Sequence, residues 1–205
     1  MNIHLYLCPQ MRTRDENKIE SIREKGLEMI VEEGFDGFSM GKLAKAAGVS
    51  PATLYIYFKN REDLLNQLYI DVQTKFHEVA LKGFDPEMSL KDGLRLQWKN
   101  RFRFITKYPV HFKFQEQFRN SPCIHHKAVQ FSEFKENMKQ FVMNAVKKGD
   151  MKKVEPELFW AIAYGPFYAL VRFHLDNKSM MSENFKFSDA LFEKTLDKVI
   201  NALKK

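Results

Sequence analysis

The stretch from Ser39 to Arg61 constrains this chain more than any other. Ser39 is placed to cap a short helix from Met40 to Ala47, which Gly48 ends. Ser50, followed by Pro51 at the first helical position, starts a second helix that runs to about Phe58. Leu43, Ala44, Ala47, Val49 and Leu54 are small or apolar at spacings that let the two helices lock at a steep angle across Gly48. The pattern is a helix-turn-helix, and its second helix is left free to project.

The rest of the chain reads as helix as well. Thr13 with Glu16 forms a capping-box signature, and apolar positions recur at Ile19, Ile22, Gly26, Met29 and Ile30 until Gly34 ends the run. Asn60 caps a helix with Glu62 and Asp63 in its first turn and Leu64, Leu65, Leu68, Val72 and Phe76 on its apolar side, running to about Gly83. The breaker cluster Gly83 to Ser89 then separates an N-terminal from a C-terminal unit. Further helices are expected at 90–107, 110–119, 124–148, 156–177 and 188–204.

The fold class that follows is all-α: an N-terminal three-helix domain and a C-terminal helical bundle. The expected boundaries are 13–60 for the helix-turn-helix domain, with the motif itself at about 40–59, then 61–83 for a connecting helix and 89–205 for the second domain. Residues 1–12 read as a disordered tail or an upstream extension of the coding start.

Composition narrows the function. The net charge of +7 invites an anionic partner, but its distribution says more than the total. Lys42, Lys45, Lys59 and Arg61 meet no acid between residues 39 and 61, a local net of +4; Lys91 to Arg119 holds 8 basic residues against Asp92 and Glu116, net +6. The longest uncharged apolar stretch, Leu158 to Val171, is 14 residues, short of the ~20 that span a bilayer. With no secretory signal pattern and 2 cysteines without CxxC spacing, a cytoplasmic setting is expected.

The second helix of the motif has backbone N–H groups at Ala52 and Thr53 open to a phosphate, and an outward face of Thr53, Tyr55, Ile56, Tyr57 and Lys59. A helix of this kind fits the DNA major groove. The block Gly34, Phe35, Ser39, Leu43, Ala44, Ala47, Gly48, Val49, Ser50, Leu54, Tyr55, Tyr57, Phe58, Arg61, Glu62 and Leu64 resembles the N-terminal domain of TetR-family transcriptional regulators. Gly26 departs from that pattern, where members usually carry Ala.

The resemblance implies a ligand-responsive regulator, expected to be a repressor, that binds a palindromic operator in double-stranded DNA as a homodimer. It places Tyr57 and Lys59 on phosphates, Ser50, Ala52, Thr53 and Tyr55 near base edges or backbone, and Ser39 and Lys42 on the flanking strand. Half of Tyr55 could equally belong to the core, and the lysines could simply solvate a face.

In the second domain the helix from Pro156 is apolar nearly all round and must be covered on several sides. Gly165 would permit close helix approach, and Pro166 predicts a kink. In regulators of this kind the last two long helices pair with their copies. The dimer-interface candidates are therefore Phe159, Ile162, Gly165, Leu170, Phe192, Leu196, Val199 and Leu203. Trp98, Phe102, Ile105, Phe114, Phe118, Tyr164, Phe167 and Tyr168 are candidates to line a pocket for a small apolar or anionic effector, with plain core packing as the alternative.

Enzymatic readings find little. Gly48-Val49-Ser50-Pro51-Ala52 approaches GxSxG but ends in Ala and follows no strand. No HExxH, P-loop or dinucleotide fingerprint is present, so neither catalytic residues nor a cofactor are expected. His111, Cys123, His125 and His126 carry the imidazole and thiolate groups that bind zinc, but adjacent His125 and His126 point apart on a helix, so no metal site is assigned. The alternative function is a helical metal- or partner-binding protein without specific DNA recognition.

Overall fold

The computed structural model describes residues 9–119 and 132–204, with side chains over 16–118 and 133–204. Among these residues there are nine helices and no strand, apart from an isolated bridge between Ser179 and Ser182. In order they are α1 (Pro9–Gly37), α2 (Met40–Ala46), α3 (Pro51–Tyr57), α4 (Arg61–Leu81), α5 (Leu90–Lys107), α6 (Pro109–Arg119), α7 (Ser132–Lys147), α8 (Pro156–Leu175) and α9 (Asp189–Lys204).

Two boundaries differ from the sequence expectation. The helix α1 begins at Pro9, so Thr13 lies inside it rather than capping it, and 9–12 is helix rather than tail. Proline at a helix start loses no hydrogen bond and brings a preset φ, which is a start signal of its own. Gly34, at φ 73 and ψ 178, breaks α1 where its end was expected, but one further turn follows to Gly37. The expected start of α7 at 124 lies outside the described residues, as do Cys123, His125 and His126. Pro166 sits inside α8 without ending it.

The chain divides into two units, Met1–Gln73 with Val110–Val129, and Thr74–Pro109 with Gln130–Lys205. Thus α6 counts with the first unit and not, as expected, with the second. The first unit's core gathers Ile22, Leu27 and Ile30 of α1, Leu43 and Ala44 of α2, Leu54 of α3, and Leu64, Leu65, Leu68 and Val72 of α4. Phe114 and Phe118 of α6 join it, with Phe118 stacked on Tyr69 at 4.5 Å and edge-on to Phe35 at 5.8 Å. Both phenylalanines are therefore removed from the expected pocket lining. Gly26 also finds its reason here: a Cβ would stand 3.2 Å from Leu68 Cδ1, so α1 approaches α4 closely where a bare backbone permits it.

In the second unit α5 packs against α7, α8 and α9. Trp98 is fully buried, donates its indole N–H to the Ala163 carbonyl at 3.0 Å, and meets Phe167 at 5.1 Å and Phe192 at 5.5 Å. Arg95 grips the Glu193 carboxylate with Nε and Nη2, at 3.1 and 3.0 Å, and Lys91 pairs with Asp197 at 2.6 Å. Two of the eight cations in the second basic stretch are thus engaged in ion pairs with α9.

Five expected dimer residues, Phe159, Phe192, Leu196, Val199 and Leu203, are buried within the single chain. An amphipathic stripe announces that a face is covered and leaves open by what; here α9 turns its stripe onto helices of its own unit.

Gly93 on α5 marks the tightest approach in this unit, where a Cβ would fall 2.5 Å from Phe141 Cε2 and 3.3 Å from Phe84. Overpacking a core typically costs about 1–3 kcal/mol, more than the ~1 kcal/mol that Ala gains over Gly in a helix. Gly93→Ala should therefore lower stability, and a midpoint in urea unfolding equal to or above that of the parent chain would contradict the packing.

Candidate nucleic-acid interface

The surface is built from the turn outward. Ser39, extended at φ −141, accepts from the Lys42 N–H at 3.2 Å and starts α2. Gly48 takes φ 66, a left-handed conformation in which an L side chain is strained, and so closes the turn. Ser50 then accepts from the Thr53 N–H at 3.2 Å, with Pro51 in the first turn of α3. The Ser50 hydroxyl is therefore a cap, inside a helix-turn-helix and with no strand before it, which removes the resemblance to a hydrolase elbow.

The helix α3 is seven residues long, and burying Leu54 decides the direction of every other side chain on it. Phe58, just after it, is also buried. Tyr55 is 56% exposed and Ile56 75% exposed, and Ala52 is open beside them. Tyr55 thus turns just over half of its surface outward. Ile56 is the residue that sequence reasoning named on the outward face but left out of the contact set. An aliphatic side chain this exposed at the centre of a projecting helix suits the methyl group of a thymine.

Other members of the expected set have second engagements. The Thr53 hydroxyl lies 2.9 Å from that of Ser50. Tyr57 is half-buried against the first unit's core and edge-on to Phe58 at 6.5 Å. Lys42 Nζ donates to Glu33 Oε2 at 2.7 Å and to the Gly37 carbonyl at 2.9 Å. Both partners of that ion pair are well exposed, and such pairs contribute only about 0–1 kcal/mol, so a phosphate can compete for the lysine.

Arg61 is taken further into the fold. Its Nη2 donates to the Phe35 carbonyl and its guanidinium lies 5.8 Å from the Phe38 ring, which makes it a tether between α4 and the end of α1. Lys45 and Lys59 stay exposed. The backbone at Lys59 is set by the start of α4, where its N–H donates to Asp63 Oδ2 at 2.8 Å while Asn60 Oδ1 accepts from the Asp63 N–H at 2.8 Å. This reciprocal cap fixes where the lysine leaves the chain.

The candidates in the second unit separate differently. Trp98, Ile105, Tyr164 and Phe167 are buried, while Phe102 lines a groove of about 480 Å³ together with Lys99, Arg103, Phe187, Phe192 and Glu193. Ile162 and Leu170 are half-buried and Gly165 exposed on the outer side of α8. Among the described residues no group of His, Cys, Asp and Glu is placed to hold a metal, and no helix is long and apolar enough to cross a membrane.

Residues 22–68 match the sequence family described as bacterial regulatory proteins, tetR family. A crystal structure of a TetR family transcription regulator from Marinobacter aquaeolei is 31% identical, covers 94% of this chain and 98% of its own, and superposes with a TM-score of 0.74. An uncharacterized HTH-type transcriptional regulator of Haemophilus influenzae is 32% identical over 112 residues, 55% of this chain. The fatty acid metabolism regulator protein of Bacillus subtilis is 32% identical over 89 residues, 43% of this chain. The matches span 60% and 46% of those two relatives' own length.

If α3 reads base edges, Ile56→Ala should relax sequence preference at one base pair by about 1 kcal/mol while leaving thermal stability unchanged. Lys59→Ala should weaken binding to every duplex alike and lower the slope of log affinity against log salt by about one. Binding isotherms on matched duplexes at several salt concentrations separate the two; an unchanged slope for Lys59→Ala would remove that residue from the phosphate contacts.

Proposed function

The chain belongs to the TetR family of bacterial transcriptional regulators, and on that premise we propose that it binds a two-fold symmetric operator as a dimer and releases it when a small effector occupies the second unit. The observation that carries the proposal is the face of α3: a helix capped by Ser50 and held by one buried leucine, with Ala52, Tyr55 and Ile56 outward. Acting on operator DNA, the protein would work in the cytoplasm, and repression is the mode in which effector-induced release switches genes on.

Dimerisation is supported by the outer side of α8. Leu158 and Trp160 are 44% and 38% exposed, Gly165 and Pro166 are open, and Ile162, Ala169 and Leu170 are half-buried, with no charged residue between Leu158 and Val171. A second copy of the same surface is the simplest cover, since a two-fold axis matches an apolar patch to itself. Paired in this way, two α3 helices would address half-sites roughly 34–36 Å apart, one turn of DNA, or somewhat farther.

The effector reading rests on the aromatic interior and groove of the second unit, and the relative that is a fatty acid metabolism regulator supports an apolar, acyl-like ligand class. Operator and effector would then each weaken the other by the same factor.

Selection of bound duplexes from a random DNA pool at physiological salt tests the function: an enriched inverted repeat is expected, and no enrichment from folded, ligand-free protein would count against it. A Cβ at Gly165 meets nothing within 4 Å, so Gly165→Arg should leave the fold intact while placing a charge in the proposed seam. Sedimentation is expected to give two chains for the parent and one for the variant. A dimeric Gly165→Arg protein would move the interface elsewhere.

A further inference from the structure

Arg101 on α5 carries a positive charge into the interior of the second unit, where it is 1% exposed. Its Nη2 donates to Gln97 Oε1 at 2.9 Å and its Nη1 to the Tyr168 hydroxyl at 3.4 Å. Its Nε, also buried, has no acceptor. The rings of Phe76, Phe134 and Tyr164 lie 5.2, 5.6 and 4.7 Å from the guanidinium.

All of these partners are neutral. Burial pushes the Tyr164 phenol up to about 12, so it keeps its proton and donates it to Gln97 Oε1 at 2.7 Å. His77, held down to about 4 by burial and then by the charge of Arg101, supplies no countercharge either. Among the described residues no Asp or Glu forms an ion pair with Arg101.

A guanidinium cannot shed its charge by losing a proton, and a buried ion is tolerated when a counter-ion accompanies it. For packing alone, an apolar side chain of the same length would serve α5 as well or better. The unused Nε–H is one arm of the fork with which arginine donates to the two oxygens of a carboxylate. The guanidinium is walled by aromatic rings: Trp160 stands 4.5 Å from Tyr164 and 6.2 Å from Phe134, both of which lie against it.

We infer that the second unit recognises an apolar monocarboxylate, with Arg101 pairing to its carboxylate and the surrounding rings covering its apolar body. This rests on the effector reading above and adds the charge of the ligand and the residue that reads it. Arg101 is too deeply enclosed to meet DNA, and one guanidinium with neutral neighbours matches a single negative charge better than a multiply charged group.

Decanoate and 1-decanol share a chain and differ in charge, which makes them the probes. The full chain is titrated with each, following the fluorescence of Trp98 and Trp160, and the same titrations are run on protein bound to its selected operator. Decanoate is expected to bind the parent protein at least about tenfold more tightly than decanol, a difference of about 1.4 kcal/mol. Arg101→Met should bring the two within about twofold, and Arg101→Lys should keep part of the preference.

Unliganded Arg101→Met should melt at or above the parent temperature, because an uncompensated charge is gone; a fall of several degrees would make Arg101 a structural post and overturn the inference. Equal binding of acid and alcohol, with both releasing operator, would overturn the role of Arg101 and leave the effector reading standing. Decanoate bound through Arg101 without operator release would do the reverse. Binding of neither probe would overturn the inference.

Discussion

Two helices of seven residues are too short to persist on their own, so α2 and α3 exist only because their inner residues share a core with α1 and α4. Burying Leu43, Leu54 and Phe58 contributes about 1.5–3 kcal/mol each, while each serine cap adds about 1 kcal/mol. The core therefore decides that the helices form, and the caps and Gly48 decide where they turn. The outward face follows from the same fact. Neighbouring residues on a helix point about 100° apart, so once Leu54 and Phe58 turn inward, Tyr55 and Ile56 have nowhere to go but out.

Charge is assigned by the same local bookkeeping. A net of +7 identifies no surface, because the cations are spent in different ways. Arg61 ties α4 to α1, Lys91 and Arg95 bind α5 to α9, and Arg101 is enclosed by rings. Lys45 and Lys59 remain exposed within the turn-and-helix window. The positive character of the face comes from these few residues and from the absence of acids between Ser39 and Arg61.

Local signals could be read without coordinates, and partner choice could not. Serine, proline and glycine act within three or four residues, which is why the ends of α2, α3 and α5 are visible in the sequence. Periodicity shows that a face is covered without naming the cover. Phe114 and Phe118 read equally well as pocket or core, and only the placement of α6 with the first unit decides. The stripe of α9 read equally well as a dimer seam, and its residues close the unit they belong to. Ion pairs across long separations, such as that of Arg95 with Glu193, leave no trace in the sequence. The same is true of Arg101, which looks like one more surface cation until the rings around it are seen.

The side chains at Ala52, Tyr55 and Ile56 contribute almost nothing to the folding of α3, whose anchoring rests on Leu54, Phe58 and Ser50. Exchanges at such positions usually alter stability by no more than about 0.5 kcal/mol. The outward face of α3 and its anchoring are therefore held by different residues within one turn of each other. On the proposed reading, a duplicated copy of this gene could drift at those three positions and acquire a new target without passing through an unfolded ancestor, whereas drift at Leu54 would unfold the helix that carries them.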